Sequence, residues 1–132
     1  MTYGTVQELA VIDIADPGIP NKERIAIRPK QAVDLYDFLF IIGWRTGEAG
    51  GIVPFDVYYP GQRIIQPPSW VIIFTGSGTN RTEVAPNGEV LHIFYMGRPR
   101  TLFAPGVAAG IVKVAAVTIG QPVKPPAQVT QQ

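Results

Sequence analysis

Nucleophilic catalysis needs a nucleophile, a base and a group that orients the base. For these roles the sequence offers two serines, Ser69 and Ser77, and one imidazole, His92. Ser77 lies in TGSGT, which is not the nucleophile elbow that presents a catalytic serine. His92 sits in VLHIFYM between Leu91 and Ile93, so strand alternation turns it toward solvent, and a lone histidine cannot complete a zinc site. Acid and base work by carboxylates would fall to Asp34 with Asp37 or Asp13 with Asp16, the nearest pairs, and both read as turn residues. Asp13 and Asp16 also lack the regular ligand spacing of a calcium loop.

Ligand-binding motifs fail in the same way. Gly76-Ser77-Gly78-Thr79-Asn80-Arg81 follows an apolar strand as a dinucleotide fingerprint does, but Arg81 stands at the third glycine and Pro86 blocks a following helix. Asn80-Arg81-Thr82 matches a glycosylation acceptor and reads equally as a polar loop. Arg98 and Arg100 flank Pro99 beside Tyr95 and Phe103, a cluster suited to structural stacking or to an anionic or planar ligand. No catalytic residue, metal or cofactor is expected.

These residues must be held by a small frame. With 132 residues the chain fits one domain with one core. Apolar residues make up 46%, charged ones only 16%, and 14 Gly with 13 Pro break the chain too often for long helices. A net charge of +1 is far from the strong field of a dedicated nucleic-acid binder. Cysteine is absent, so packing and backbone pairing must supply the stability. The start MTYGTVQELA has no basic, then apolar, signal-peptide pattern, and no apolar run approaches the roughly 20 residues of a spanning helix.

Alternation then marks about seven strands bounded by Gly and Pro. VQELAVIDI, from Val6 to Ile14, reads as a strand covered on both faces, and ERIAIR, from Glu23 to Arg28, as a half-buried one ended by Pro29. Residues 31–42 mix helical spacing with the β-rich run FLFII and are read as turn plus strand. The loop GWRTGEAGG leads to IVPFDVYYPG and RIIQPP, and SWVIIFTG is the central strand with Trp70 inside. SGTNRTEVAPNG is read as a loop, VLHIFYMG as a strand, and GIVKVAAVTI as the last strand. Residues 1–120 form the domain, and the Pro- and Gln-rich stretch 121–132 is a flexible tail or linker.

FTGSGTN, preceded by a Pro-containing turn, resembles the TG-x-G-T-[ND] strand end of bacterial lamin-tail domains. NKERIAI resembles that family's second strand, AVDLYDFLF its V-D-L-x-G-[WY]-x-[LI] element, and FYMGRPRTLFAPG its aromatic-x-G-R segment, in matching order over about residues 5–120. Asp37 stands where the family usually has Gly, Pro68 where it often has Gly, and residues 107–109 replace an acidic turn. The resemblance implies an all-β, immunoglobulin-like sandwich of about seven to nine strands with no catalytic residues to carry over. It also implies an accessory role beside other proteins.

The expected function is therefore a non-catalytic interaction or scaffolding module, an accessory domain binding protein or envelope components, with a protein partner or self-association first. Carbohydrate binding is the alternative, with Trp44, Tyr58, Tyr59 and Tyr95 as ring platforms and Arg98 and Arg100 beside them. A role in a virion or cellular shell is a further alternative, consistent with an uncharged surface and exposed strand edges. Nucleic acid is disfavoured, since it requires Arg63, Arg81, Arg98 and Arg100 on one face.

Overall fold

The computed structural model describes residues 4–47 and 51–126. Along the chain run β1 (Leu9–Ala15), β2 (Arg24–Pro29), β3 (Val33–Asp34), β4 (Phe38–Thr46), β5 (Gly51–Tyr58), β6 (Ile64–Ile65), β7 (Ser69–Phe74), β8 (Arg81–Val84), β9 (Val90–Tyr95) and β10 (Val107–Lys113). A single 3-10 turn, Leu35–Asp37, precedes β4 and is capped by Asp34, whose carboxylate accepts from the Tyr36 N–H. The protein is an all-β sandwich. One sheet runs β1-β2-β7-β9-β8, a second β10-β4-β5, and β3 and β6 form a minimal third pair. Among the described residues no helix is long and apolar enough to cross a membrane.

Period-2 alternation decides what each sheet buries. In β2, Ile25 and Ile27 are closed off from water while Arg24, Ala26 and Arg28 face outward. Register carries this phase across the sheet: Ile25 lies beside Ile73, Ile27 beside Val71, and Ile73 beside Phe94. These side chains meet Phe38, Phe40 and Ile42 of β4, with Leu35, Ile65, Met96 and Phe103 closing the core. Burying each such side chain is worth about 1.5–3 kcal/mol.

Two irregularities correct the expected strands. β1 starts at Leu9, and a bulge between Val11 and Asp13 throws Ile12 out to 55% exposure before Ile14 returns to the core side, so the strand is not covered on both faces. In β4 the strand continues through Gly43–Trp44–Arg45–Thr46, which the sequence presents as loop. It does so because Gly43 lets β5 close in: a Cβ there would lie 2.1 Å from the Val53 carbonyl oxygen, opposite a second bulge.

Three further expectations change. Trp70 is on the outer face of the five-stranded sheet, not inside, with the Arg28 guanidinium 4.5 Å above its ring. The expected loop after β7 contains β8, which pairs antiparallel with β9. The last strand begins earlier than expected and stops at Lys113, because its partner β4 begins at Phe38. Residues 114–126 carry no regular secondary structure, and residues 127–132 of the expected tail, like residues 48–50 of the β4–β5 loop, lie outside the described residues.

Candidate functional site

The outward face of the β10-β4-β5 sheet is mainly apolar, with Arg45 as its charged residue opposite Ile52. Register sets Leu39, Ile41 and Gly43 of β4 between Val112, Gly110 and Ala108 on one side and Val57 and Pro54 on the other. Ile41 is nearly closed off at 9% exposure, whereas Val57 and Val112 stand open at 46% and 39%. An apolar trough of about 840 Å³ runs over Ile41, Ile52, Pro54 and Gly110. Its rim carries an ion pair between Lys113 and Glu8 at 2.5 Å. In the sequence this face is hard to see, since its residues come from three strands and several are glycine, alanine or proline.

The six residues expected to form a surface do not form one. Trp44, 49% exposed, continues past the core at the end of β4, where its ring packs 6.0 Å from Phe55, itself 47% exposed. Gly106 lies against the Trp44 ring at φ +89°, a left-handed backbone conformation that favours glycine. Tyr59 is exposed elsewhere, edge-on to Tyr36 and donating its hydroxyl to the Tyr36 carbonyl at 2.9 Å. Tyr58 turns the other way, half-buried against Phe94 between the sheets, where burial pushes its phenol above the ordinary value. Tyr95 stacks on Phe74 at 5.0 Å on the outer face of the five-stranded sheet and accepts from Arg81.

Arg98 is engaged inside the molecule. Its Nε and one terminal nitrogen donate to the two Asp56 oxygens at 2.7 and 2.8 Å, and its other terminal nitrogen donates to the Met96 carbonyl. It also donates to the Val57 carbonyl at 3.2 Å, while the Asp56 carboxylate accepts from the Val57 N–H. The Arg98 hydrogen bonds hold the Asp56 carboxyl below its usual range, burial working against them. The pair therefore ties the end of β9 to β5 and caps two backbone groups on the β5 edge. Arg100 is exposed on a cleft of about 310 Å³ lined also by Asn21, Thr75 and Thr101.

The arginines required for nucleic acid are similarly dispersed. Arg81 faces outward on β8, paired with Glu83 at 2.6 Å, whereas Arg63 lies over Phe94 and donates to Thr82, on the opposite face. On the outer face of the five-stranded sheet, Arg24, Arg28 and Arg81 lie over Phe74, Trp70 and Tyr95, and each guanidinium is paired with an acid. Sequence inspection missed this covering because its partners are up to 61 residues apart.

Two polar groups are far more buried than their positions suggest. His92 is on the inward face of β9, not turned to solvent; its Nδ1 is closed off without a partner among the described residues, as is the Ser69 hydroxyl. Burial and then the Arg63 charge hold the imidazole below its ordinary value of 6.5. Glu23 is 1% exposed and accepts four hydrogen bonds, from Gly18, Leu102 and Phe103 N–H groups and the Thr75 hydroxyl. Among the described residues no group of three His, Asp or Glu side chains is placed to hold a metal. Compared with protein-family models, with curated proteins and with solved structures, the chain gives no significant match in any of the three.

Proposed function

We propose that the chain is a non-catalytic interaction and scaffolding module of the lamin-tail type, an immunoglobulin-like sandwich that docks a protein partner on the outer face of β10-β4-β5. The observation that carries this is the mainly apolar face itself, with Val57 and Val112 open to solvent beside an apolar trough of about 840 Å³. Contiguous apolar surface of this kind marks an interaction site on a folded domain. The family part draws support from element order: NKERIAI ends in β2, AVDLYDFLF spans β3 to β4, and FTGSGTN follows β7.

Affinity capture with the wild-type domain beside Val57→Asp and Ile52→Asp variants tests the face. A partner retained by the wild type and lost from both variants, at unchanged thermal midpoint, is the expected result. Capture indifferent to both charges overturns the assignment. Carbohydrate binding is the second reading, favoured by the exposed Trp44–Phe55 pair. A polysaccharide pull-down should then retain the wild type and release Trp44→Ala; no retention of the wild type excludes it.

A further inference from the structure

β10 stops where β4 has no more residues to offer, at the Lys113–Phe38 pair. The Val114 N–H still reaches the Asp37 carbonyl at 2.8 Å, and from Ala115 to Ile119 no backbone group has a hydrogen-bonding partner among the described residues. Yet the stretch 114–119, VAAVTI, is a strand former: four of its six residues are β-branched, and no charge occurs from Val114 to Val123. Val117 and Ile119 are 67% and 84% exposed. Local preference and the fold thus conflict at one place, since the chain supplies an apolar strand former and, among the described residues, no strand pairs with it.

Beside this stretch lies a mainly apolar trough of about 680 Å³, bounded on its far side by Tyr36, Leu39 and Tyr59, floored by Val112 and carrying Lys113 as the one charged residue of its lining. Tyr36 and Tyr59 are held edge to face, with the Tyr59 hydroxyl donating to the Tyr36 carbonyl. An extended strand laid in the trough would meet unpaired backbone on one side and apolar rings on the other, the chemistry of strand addition.

We propose that the strand laid there is residues 114–119 of a second copy of this chain, paired antiparallel across a two-fold axis. A two-fold antiparallel pair opposes residues of like parity, and centring it on Ala116 sets Ala115 against Val117, Val114 against Thr118 and Lys113 against Ile119. No like charges then face one another, which would destabilise the pair. Donor strand and receiving trough belong to the same surface, so one axis satisfies both copies at once, as an isologous interface requires. A net charge of +1 leaves little repulsion between copies.

The pairing deepens the interaction-module reading but uses Val117 and Ile119 in place of Val57 and Ile52, so the two fail separately. Sedimentation of the full chain from about 10 µM to about 1 mM should show a concentration-dependent dimer, the range of a small interface. Val117→Asp and Thr118→Pro should each remain monomeric at every concentration with the wild-type thermal midpoint. Because the chain has no cysteine, Ala116→Cys should give a disulfide-linked dimer under mild oxidation, and exposed Gln62→Cys should not. A wild type monomeric throughout, a dimer that survives both variants, or equal cross-linking of the two cysteine variants overturns the proposal.

Discussion

The Glu23 carboxylate accepts the Thr75 hydroxyl at 2.8 Å, with both residues closed off from water at 1% and 2% exposure. Among the described residues no cation is paired with this carboxylate; three backbone N–H groups from Gly18, Leu102 and Phe103 complete its shell. One side chain thereby fastens the β1–β2 turn, the end of β7 and the segment before β10. Burial alone would raise its pKa, but the bonds from Leu102, Gly18, Thr75 and Phe103 outweigh it and hold the carboxyl below its ordinary value of 4.5.

Glu23→Gln keeps the shape but turns an amide N–H₂ toward donors, so it should cost about 2–4 kcal/mol in urea unfolding. Thr75→Val removes one donor and should cost about 1–2 kcal/mol. Because the folded carboxyl is the stronger acid, its contribution is complete above about pH 4.5 and disappears as pH falls through the lower folded value. A Glu23→Gln protein within about 0.5 kcal/mol of wild type would remove Glu23 as a fastening point.

Arg98→Leu should destabilise by about 1–3 kcal/mol, because Asp56 remains half-buried without its partner. It should also uncover the β5 edge, whose Val57 N–H and carbonyl are capped by the pair. Light scattering on heating is expected to show earlier aggregation than for Arg100→Leu, an exposed change that leaves the cap intact. Equal behaviour of the two variants would contradict the capping role.

His92 gives a separate window of pH. Burial first, and Arg63 second, hold its folded value below 6.5, so the unfolded chain takes up the proton more readily. Stability from the neutral ring is complete above about pH 6.5 and declines as pH falls below it toward the folded value. The thermal midpoint of the wild type should fall between about pH 7 and about pH 5.5, and His92→Leu should flatten that fall. An unchanged slope in the variant would place the titration elsewhere.

The legible parts of the fold are those with a phase. ERIAIR shows its faces because Arg alternates with Ile, and β2 matches it nearly residue for residue. SWVIIF has no such phase, being apolar after its first residue, so nothing local says that Ser69 turns in and Trp70 out. β8 escaped notice because all four of its residues are exposed and its pairing with β9 is purely a backbone matter. Glu23 and Arg98 look like solvated charges in sequence, since the groups that bury them lie up to 80 and 42 residues away.

The pairing of β2 with β7 also dictates the order of assembly. Residues 30–68 lie between those two strands and contain all of β3 to β6. The β4–β5 hairpin is local and can close in about 1–10 µs, whereas β2 and β7 must first pay the entropy of a long loop. The β4–β5 hairpin is therefore expected to form first, before β2 meets β7 and before β10 reaches β4 across a still longer loop, with overall folding in the ~ms to ~s range of sandwiches rich in distant contacts.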